Sequence, residues 1–343
     1  MTRFEKNGKT GTIATAVSNS VLALLFVFLY PVVSFAERFW AEGTIGTLFD
    51  SNIEHLSIVD LLTMGERRGV FLRNAALGGV AFGRDDAFSA SVSLAAETGL
   101  DVPERSRLNS YADVGWHLEP RSDVSLDLVF GLHHTAEDFL SMRNMFLDAF
   151  ITGDLFWDIE DAHAWYGALK TGYYLGFDEE MRYLTGPMFA FESGYFHYPT
   201  DATDYVKPSV GVEGYFFRPE VLSSCEGTLS VNNSFIKPTA GFEGKYDLAP
   251  VFFKGSLRYS FMAWLASDRW WGGRSKRRME HVPSANGQVL WEITEHFALS
   301  LNYSYRYIFS NLGSEEGDYI DYTMDRHLVT LQITGRYEGE RKK

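Results

Sequence analysis

Leu299-Ser300-Leu301-Asn302-Tyr303-Ser304-Tyr305-Arg306-Tyr307-Ile308-Phe309 alternates without a break: each odd position is leucine or aromatic, and each even one except Ile308 is polar. A strand throws successive side chains to opposite faces, whereas a helix repeats its apolar residues three and four apart. The stretch is therefore an amphipathic strand. Its eleven residues are about twice the five or six of a typical globular strand, and they match the roughly 9–11 that a tilted strand needs to cross the hydrocarbon of a bilayer.

The same split recurs along the chain. At 251–261, Val251, Phe253, Gly255, Leu257, Tyr259 and Phe261 oppose Phe252, Lys254, Ser256, Arg258 and Ser260. At 124–132, Val124, Leu126, Leu128, Phe130 and Leu132 oppose Ser125, Asp127, Val129 and Gly131. Further runs lie at 88–97, 165–177, 209–217, 289–294 and 329–337. Short polar joints at 83–86, 119–122, 247–250 and 294–296 read as tight turns, and longer polar connections lie near 51–68, 98–107, 134–142, 265–285 and 311–325. These boundaries predict fourteen strands, near 39–50, 69–82, 87–97, 108–118, 123–133, 143–157, 163–176, 184–197, 205–217, 228–246, 251–264, 286–294, 298–310 and 326–337. The stretch 177–250 leaves twelve or sixteen open. The predicted fold is all-β, a transmembrane antiparallel up-and-down β-barrel forming one domain over 37–343. Strand length favours the barrel over a soluble sandwich, because only a closed barrel satisfies every strand's backbone hydrogen bonds inside lipid.

Residues 1–36 read as a cleavable export signal. Arg3, Lys6 and Lys9 form a basic segment, an apolar run is densest over 21–33, and Ser34-Phe35-Ala36 supplies the small residues of a cleavage site before Glu37. That run is about 13 residues long, short of the roughly 20 of a spanning helix, and no cysteine follows it to take a lipid anchor. Cys225 is the only cysteine, so no internal disulfide framework exists. Mean hydropathy is −0.14, as expected when half of each strand faces water. The chain carries 27 Phe, 18 Tyr and 8 Trp, enough to furnish aromatic belts at both membrane interfaces. Losing the signal removes three basic residues and Glu5, which takes the net charge from −14 to −16 and excludes nucleic acid as a partner.

With its signal ending Ser34-Phe35-Ala36, its turn-then-strand units such as 294–301 and its last strand Val329-Thr330-Leu331-Gln332-Ile333-Thr334-Gly335-Arg336-Tyr337, the mature chain resembles bacterial outer-membrane β-barrel proteins of the porin-like kind. The last strand is similar to the aromatic-ended assembly signal of that class, although six residues, 338–343, follow the aromatic. The resemblance implies periplasmic short turns, extracellular long loops, contact with outer-membrane lipids and lipopolysaccharide, and insertion by the barrel-assembly machinery.

Under these registers Asp113, Asp127, Lys170, Glu192, Glu213, Glu243, Lys245, Lys254, Arg258, Glu292, Arg306 and Arg336 point inside, as candidate lumen-lining residues. The basic members Lys254, Arg258, Arg306 and Arg336 fall on late strands, and the acids Asp113, Asp127, Glu192 and Glu213 on earlier ones. Two separate arcs and a transverse field are therefore expected, with charge tolerated at Ser300 but not at Leu301.

Arg269, Arg274, Lys276, Arg277 and Arg278, beside Trp264, Trp270 and Trp271, form an extracellular basic loop, which reads as a solvated loop or as an anchor for lipopolysaccharide phosphates. His133-His134 with Glu137-Asp138, Asp161 with His163, and the acidic segments 178–180 and 315–316 carry metal-ligand residue types without ligand spacing. Adjacent strand histidines point apart, so no metal or cofactor is expected. No Gly-x-Ser-x-Gly elbow, phosphate loop or dinucleotide fingerprint occurs. The expected function is a passive channel for small hydrophilic solutes. A plugged structural or adhesive barrel and an outer-membrane lipid-modifying enzyme are the alternatives.

Overall fold

A computed structural model describes residues 38–51, 69–83, 86–138, 143–160, 162–177, 184–199, 203–217, 220–224, 227–231, 234–268, 276–310 and 324–340. The predicted cleavage point at Ala36 and Glu37, Cys225, and the acidic segments 178–180 and 315–316 lie outside them.

The strands are β1 (Arg38–Asp50), β2 (Gly69–Phe82), β3 (Phe88–Gly99), β4 (Arg107–Arg121), β5 (Val124–Asp138), β6 (Arg143–Glu160), β7 (His163–Gly176), β8 (Gly186–His197), β9 (Tyr205–Tyr215), β10 (Glu220–Ser224), β11 (Gly227–Val231), β12 (Phe235–Leu248), β13 (Val251–Asp268), β14 (Lys276–Thr294), β15 (Phe297–Ser310) and β16 (Met324–Glu340). All but β10 and β11 form one closed antiparallel barrel, in which chain neighbours are also sheet neighbours and β9 pairs with β12. Fourteen strands close the ring, as the sequence predicts. β1 meets β16 in an unbroken register from Arg38↔Glu340 to Asp50↔Leu328. The sheet thus has no edge, and every backbone ladder is completed within the protein.

The outward face carries the odd positions of the deciding stretch. Ile45, Phe130, Leu169, Val210, Leu257, Leu301 and Ile333 are between 47% and 65% exposed, and they come from strands all round the ring. A belt of that extent makes sense only if hydrocarbon covers it. Near the end where the termini lie, Phe88 and Trp116 stack with centroids 6.0 Å apart. There too the Trp157 indole N–H donates to Asp123 at 3.1 Å, placing an apolar ring against lipid and its polar edge at water. Gly83, at φ +89°, opens the β2–β3 turn in a backbone region that glycine enters without strain.

The structure departs from the predicted boundaries in several places, among them β5, which runs to Asp138 and takes in 134–138 of the supposed 134–142 loop. The run read as one strand over 228–246 divides: β11 pairs with β10 in a separate hairpin, and the barrel strand begins at Phe235. Alternation marks a strand but cannot say which sheet it joins. In addition, β13 and β14 extend to Asp268 and back to Lys276, so most of the supposed 265–285 loop is strand. At 19 residues and about 3.4 Å per residue, β14 runs well past the apolar belt. Beyond the belt no lipid selects for apolar residues on the outer face, and the period-two signal fades.

Candidate functional site

The candidate site is the polar interior, built by the residues that alternate with the outer belt. Strand pairing puts all twelve candidate residues on the inward face, and it places beside them several that the sequence reading omitted.

From β6 to β13 the interior is a run of ion pairs. Lys170 Nζ lies 2.8 Å from Asp148 and 3.8 Å above the Phe150 ring. Lys207 reaches Glu192 at 3.5 Å, Lys237 pairs with Glu213, and Lys254 lies 3.2 Å from Glu243. Arg258 reaches Glu192 at 3.4 Å, and the Tyr205 hydroxyl donates to Glu243 at 2.5 Å. A cavity of about 230 Å³ opens among Lys170, Glu192, Glu213, Lys237 and Arg258. Lys245 Nζ sits 5.2 Å above the Phe252 ring.

From β14 round through β1 to β4 the character changes. Toward the loops, Arg326 is held by the fully buried Asp50. Toward the termini, Arg336 reaches Glu42 at 3.2 Å and Glu292 at 4.0 Å. Between these levels lie Asn286, Gln288, Asn302, Ser304 and Thr330, which line a second cavity of about 400 Å³ together with Arg73, Glu97 and Arg107. Elsewhere on this side, Asp113 accepts a hydrogen bond from Ser91, Asp127 lies 2.6 Å from His117 Nδ1, and Arg306 is the register partner of Arg326.

The expected segregation of charge into opposed arcs is not what the structure has. Lys207 and Lys237, which the sequence reading left out, sit in register with Glu243 and Glu213 and interleave with the acids. Parity alone would have found them. Pro208 and Pro238 break the visible alternation beside each, although both are accommodated on the outward face. Arg73 escaped for another reason: β2 is apolar on both faces, so its sequence does not say which side is inward.

The basic loop is also revised. Lys276, Arg277 and Arg278 belong to β14, while Arg269 and Arg274 lie outside the described residues. Arg278 pairs with the buried Glu280 and stacks 4.4 Å from the centroid of Trp264. His133 and His134 face opposite ways: His133 lines an interior pocket with Tyr111 and Lys170, whereas His134 lies 3.5 Å from Ser110 on the other face. The side chains of Glu137 and Asp138, and Asp161, lie outside the described set. His163 stacks on His197 with centroids 5.0 Å apart.

No protein-family model and no curated protein sequence matches the chain. Among solved structures it is similar to a FadL homologue of Pseudomonas aeruginosa, with 10% identity over 88% of this chain and 90% of that one and a TM-score of 0.47. It is also similar to an anion-selective porin from Comamonas acidovorans, with 9% identity over 88% and 98% of the two chains and a TM-score of 0.41. OprD of Pseudomonas aeruginosa gives 8% identity over 89% and 96%, with a TM-score of 0.44. Ring closure of fourteen strands, an apolar outer belt and a polar interior make the described chain a membrane-type β-barrel.

Proposed function

We propose that the barrel is a passive channel for small hydrophilic solutes. The observation that carries this reading is the direction of the interior ion pairs. Nearly all join neighbouring strands, and among the described residues none spans more than the three ring steps from β8 to β13 that separate Glu192 from Arg258. An ion pair that runs along the wall neutralises the wall. A plug made of side chains would need pairs across the axis, some seven steps apart in a ring of fourteen. Eight-stranded barrels are filled by their own side chains and sixteen-stranded porins are open, so wall-directed pairing supports an open interior at fourteen. Selection would then rest on size and on the field of the wall, with no covalent step.

The same reading takes residues 1–36 as a cleaved signal, has lipid and lipopolysaccharide covering the outer belt, and gives β16 to the assembly machinery. Purified protein in a planar bilayer should produce discrete conductance steps. A barrel that is folded, judged by heat-modifiable mobility, yet passes no current would overturn the channel and favour a plugged structural barrel.

A further inference from the structure

The second interior cavity is lined by three cations, Arg73, Arg107 and Lys254, by one acid, Glu97, and by a group of neutral polar side chains. Its volume of about 400 Å³ falls within the roughly 300–1,000 Å³ of small-molecule sites. One side presents Arg73, whose described charge contact is Glu97 at 3.8 Å. Arg73 makes no hydrogen bond among the described residues, and its Nε is buried without a partner. Glu97 also faces Arg107 at 3.9 Å, so its single charge is divided between two guanidiniums.

A guanidinium offers five donors in a planar fork that matches the two oxygens of a carboxylate. On the ion-paired side of the barrel, by contrast, Glu192, Glu213 and Glu243 each have a cation within 3.5 Å. Their cations are already satisfied. Arg73 keeps donors for a ligand, its Nε being buried without a hydrogen bond.

The facing wall supplies three carboxamides, Asn286 and Gln288 on β14 and Asn302 on β15. Asn286 donates to Ser256 at 3.1 Å and Asn302 to Ser300 at 3.3 Å, which fixes the two amides and leaves their oxygens as acceptors. A row of neutral groups that both donate and accept is matched to hydroxyls, which do the same. A bare inorganic anion has no use for acceptors, and an alkyl anion would strip the amides of water without replacing it.

We propose that this cavity is a binding site for a small polyhydroxylated carboxylate, a sugar acid. In this assignment Arg73 takes the carboxylate, and Gln288 and Asn302 read the hydroxyls. The inference deepens the channel reading and rests on it for physiological use, but it is tested separately from it.

Isothermal titration calorimetry on the detergent-purified barrel would use sodium gluconate, sodium hexanoate (charge without hydroxyls) and sorbitol (hydroxyls without charge). Gluconate should bind at least tenfold more tightly than either of the others. Arg73→Gln should weaken gluconate at least tenfold, and Asn302→Leu should weaken gluconate while leaving hexanoate unchanged. If the Arg73 variant does not fold, the Asn302 arm and the three-probe comparison still decide. No heat with gluconate, equal binding of gluconate and hexanoate, or undiminished binding by the Arg73 variant would overturn the site. A barrel that conducts but does not bind gluconate loses only this inference, and one that binds but does not conduct loses only the channel.

Discussion

The two sides of the barrel interior solve one problem differently. From β6 to β13 the wall is charged and largely paired, with Asp148, Glu192, Glu213 and Glu243 each answered by a lysine on a neighbouring strand. From β14 round to β4 the wall between Arg326–Asp50 above and Arg336–Glu42 below is carboxamide and hydroxyl on β14 to β16, faced by Arg73, Glu97 and Arg107 on β2 to β4. A paired wall holds ordered charge and presents little net field. A carboxamide wall facing two guanidiniums that share one carboxylate presents a directional field and hydrogen-bonding capacity. Net charge alone says nothing about this distinction, because the −14 of the whole chain is spread over loops, wall and ends.

The contrast between faces is deeper than the contrast between arcs, and its test has the largest expected effect. Leu301 is 47% exposed in the outer belt, and Leu301→Arg should cost about 2–4 kcal/mol if it lies near the bilayer midplane. Asn302→Arg, one residue along and inward, should cost far less. Ser300 is the wrong control, since it is only 3% exposed and packed into the wall. Folding yield into liposomes and urea titration read both variants, and equal losses would show that the face assignment is wrong.

Selectivity separates the arcs. If it conducts as proposed, the unmodified barrel should show weak preference between potassium and chloride in a salt gradient, because the paired arc carries little net field and loop acids are screened within about 8–10 Å. Replacing Lys207 and Lys237 together with glutamine uncovers Glu213 and part of Glu192, and should raise the cation-to-anion permeability ratio several-fold. Arg73→Gln removes one cation from the carboxamide-lined arc and should move the reversal potential the same way by less. Strong cation preference in the unmodified protein, or no response to the double variant, would break the picture of a paired wall.

The smallest effect belongs to the pair itself. Exchanging Lys237 and Glu213 for each other preserves the pair and its position on the wall, so selectivity should hold. Stability should change by about 1 kcal/mol or less, the usual worth of a partly exposed ion pair. A double exchange that costs as much as either single replacement would show that the partners are fixed by more than their mutual charge.

By itself, the sequence determined that the chain is a barrel of long amphipathic strands. Burial against lipid on one side and water on the other imposes a period of two, and runs such as 251–261 and 299–309 display it directly. It pointed to fourteen strands where short turns interrupt the pattern, but over 177–250 it left twelve or sixteen open until ring closure fixed the number. Four things were decided only by the tertiary structure: that β11 leaves the barrel, that β13 and β14 outrun the belt, that Lys207 and Lys237 meet the acids, and that Arg73 faces a wall of carboxamides. Each depends on which strands become neighbours and in what register. Alternation tells each residue its face but not its partner, and the contacts that set the interior's chemistry join residues as far apart as Asp50 and Arg326.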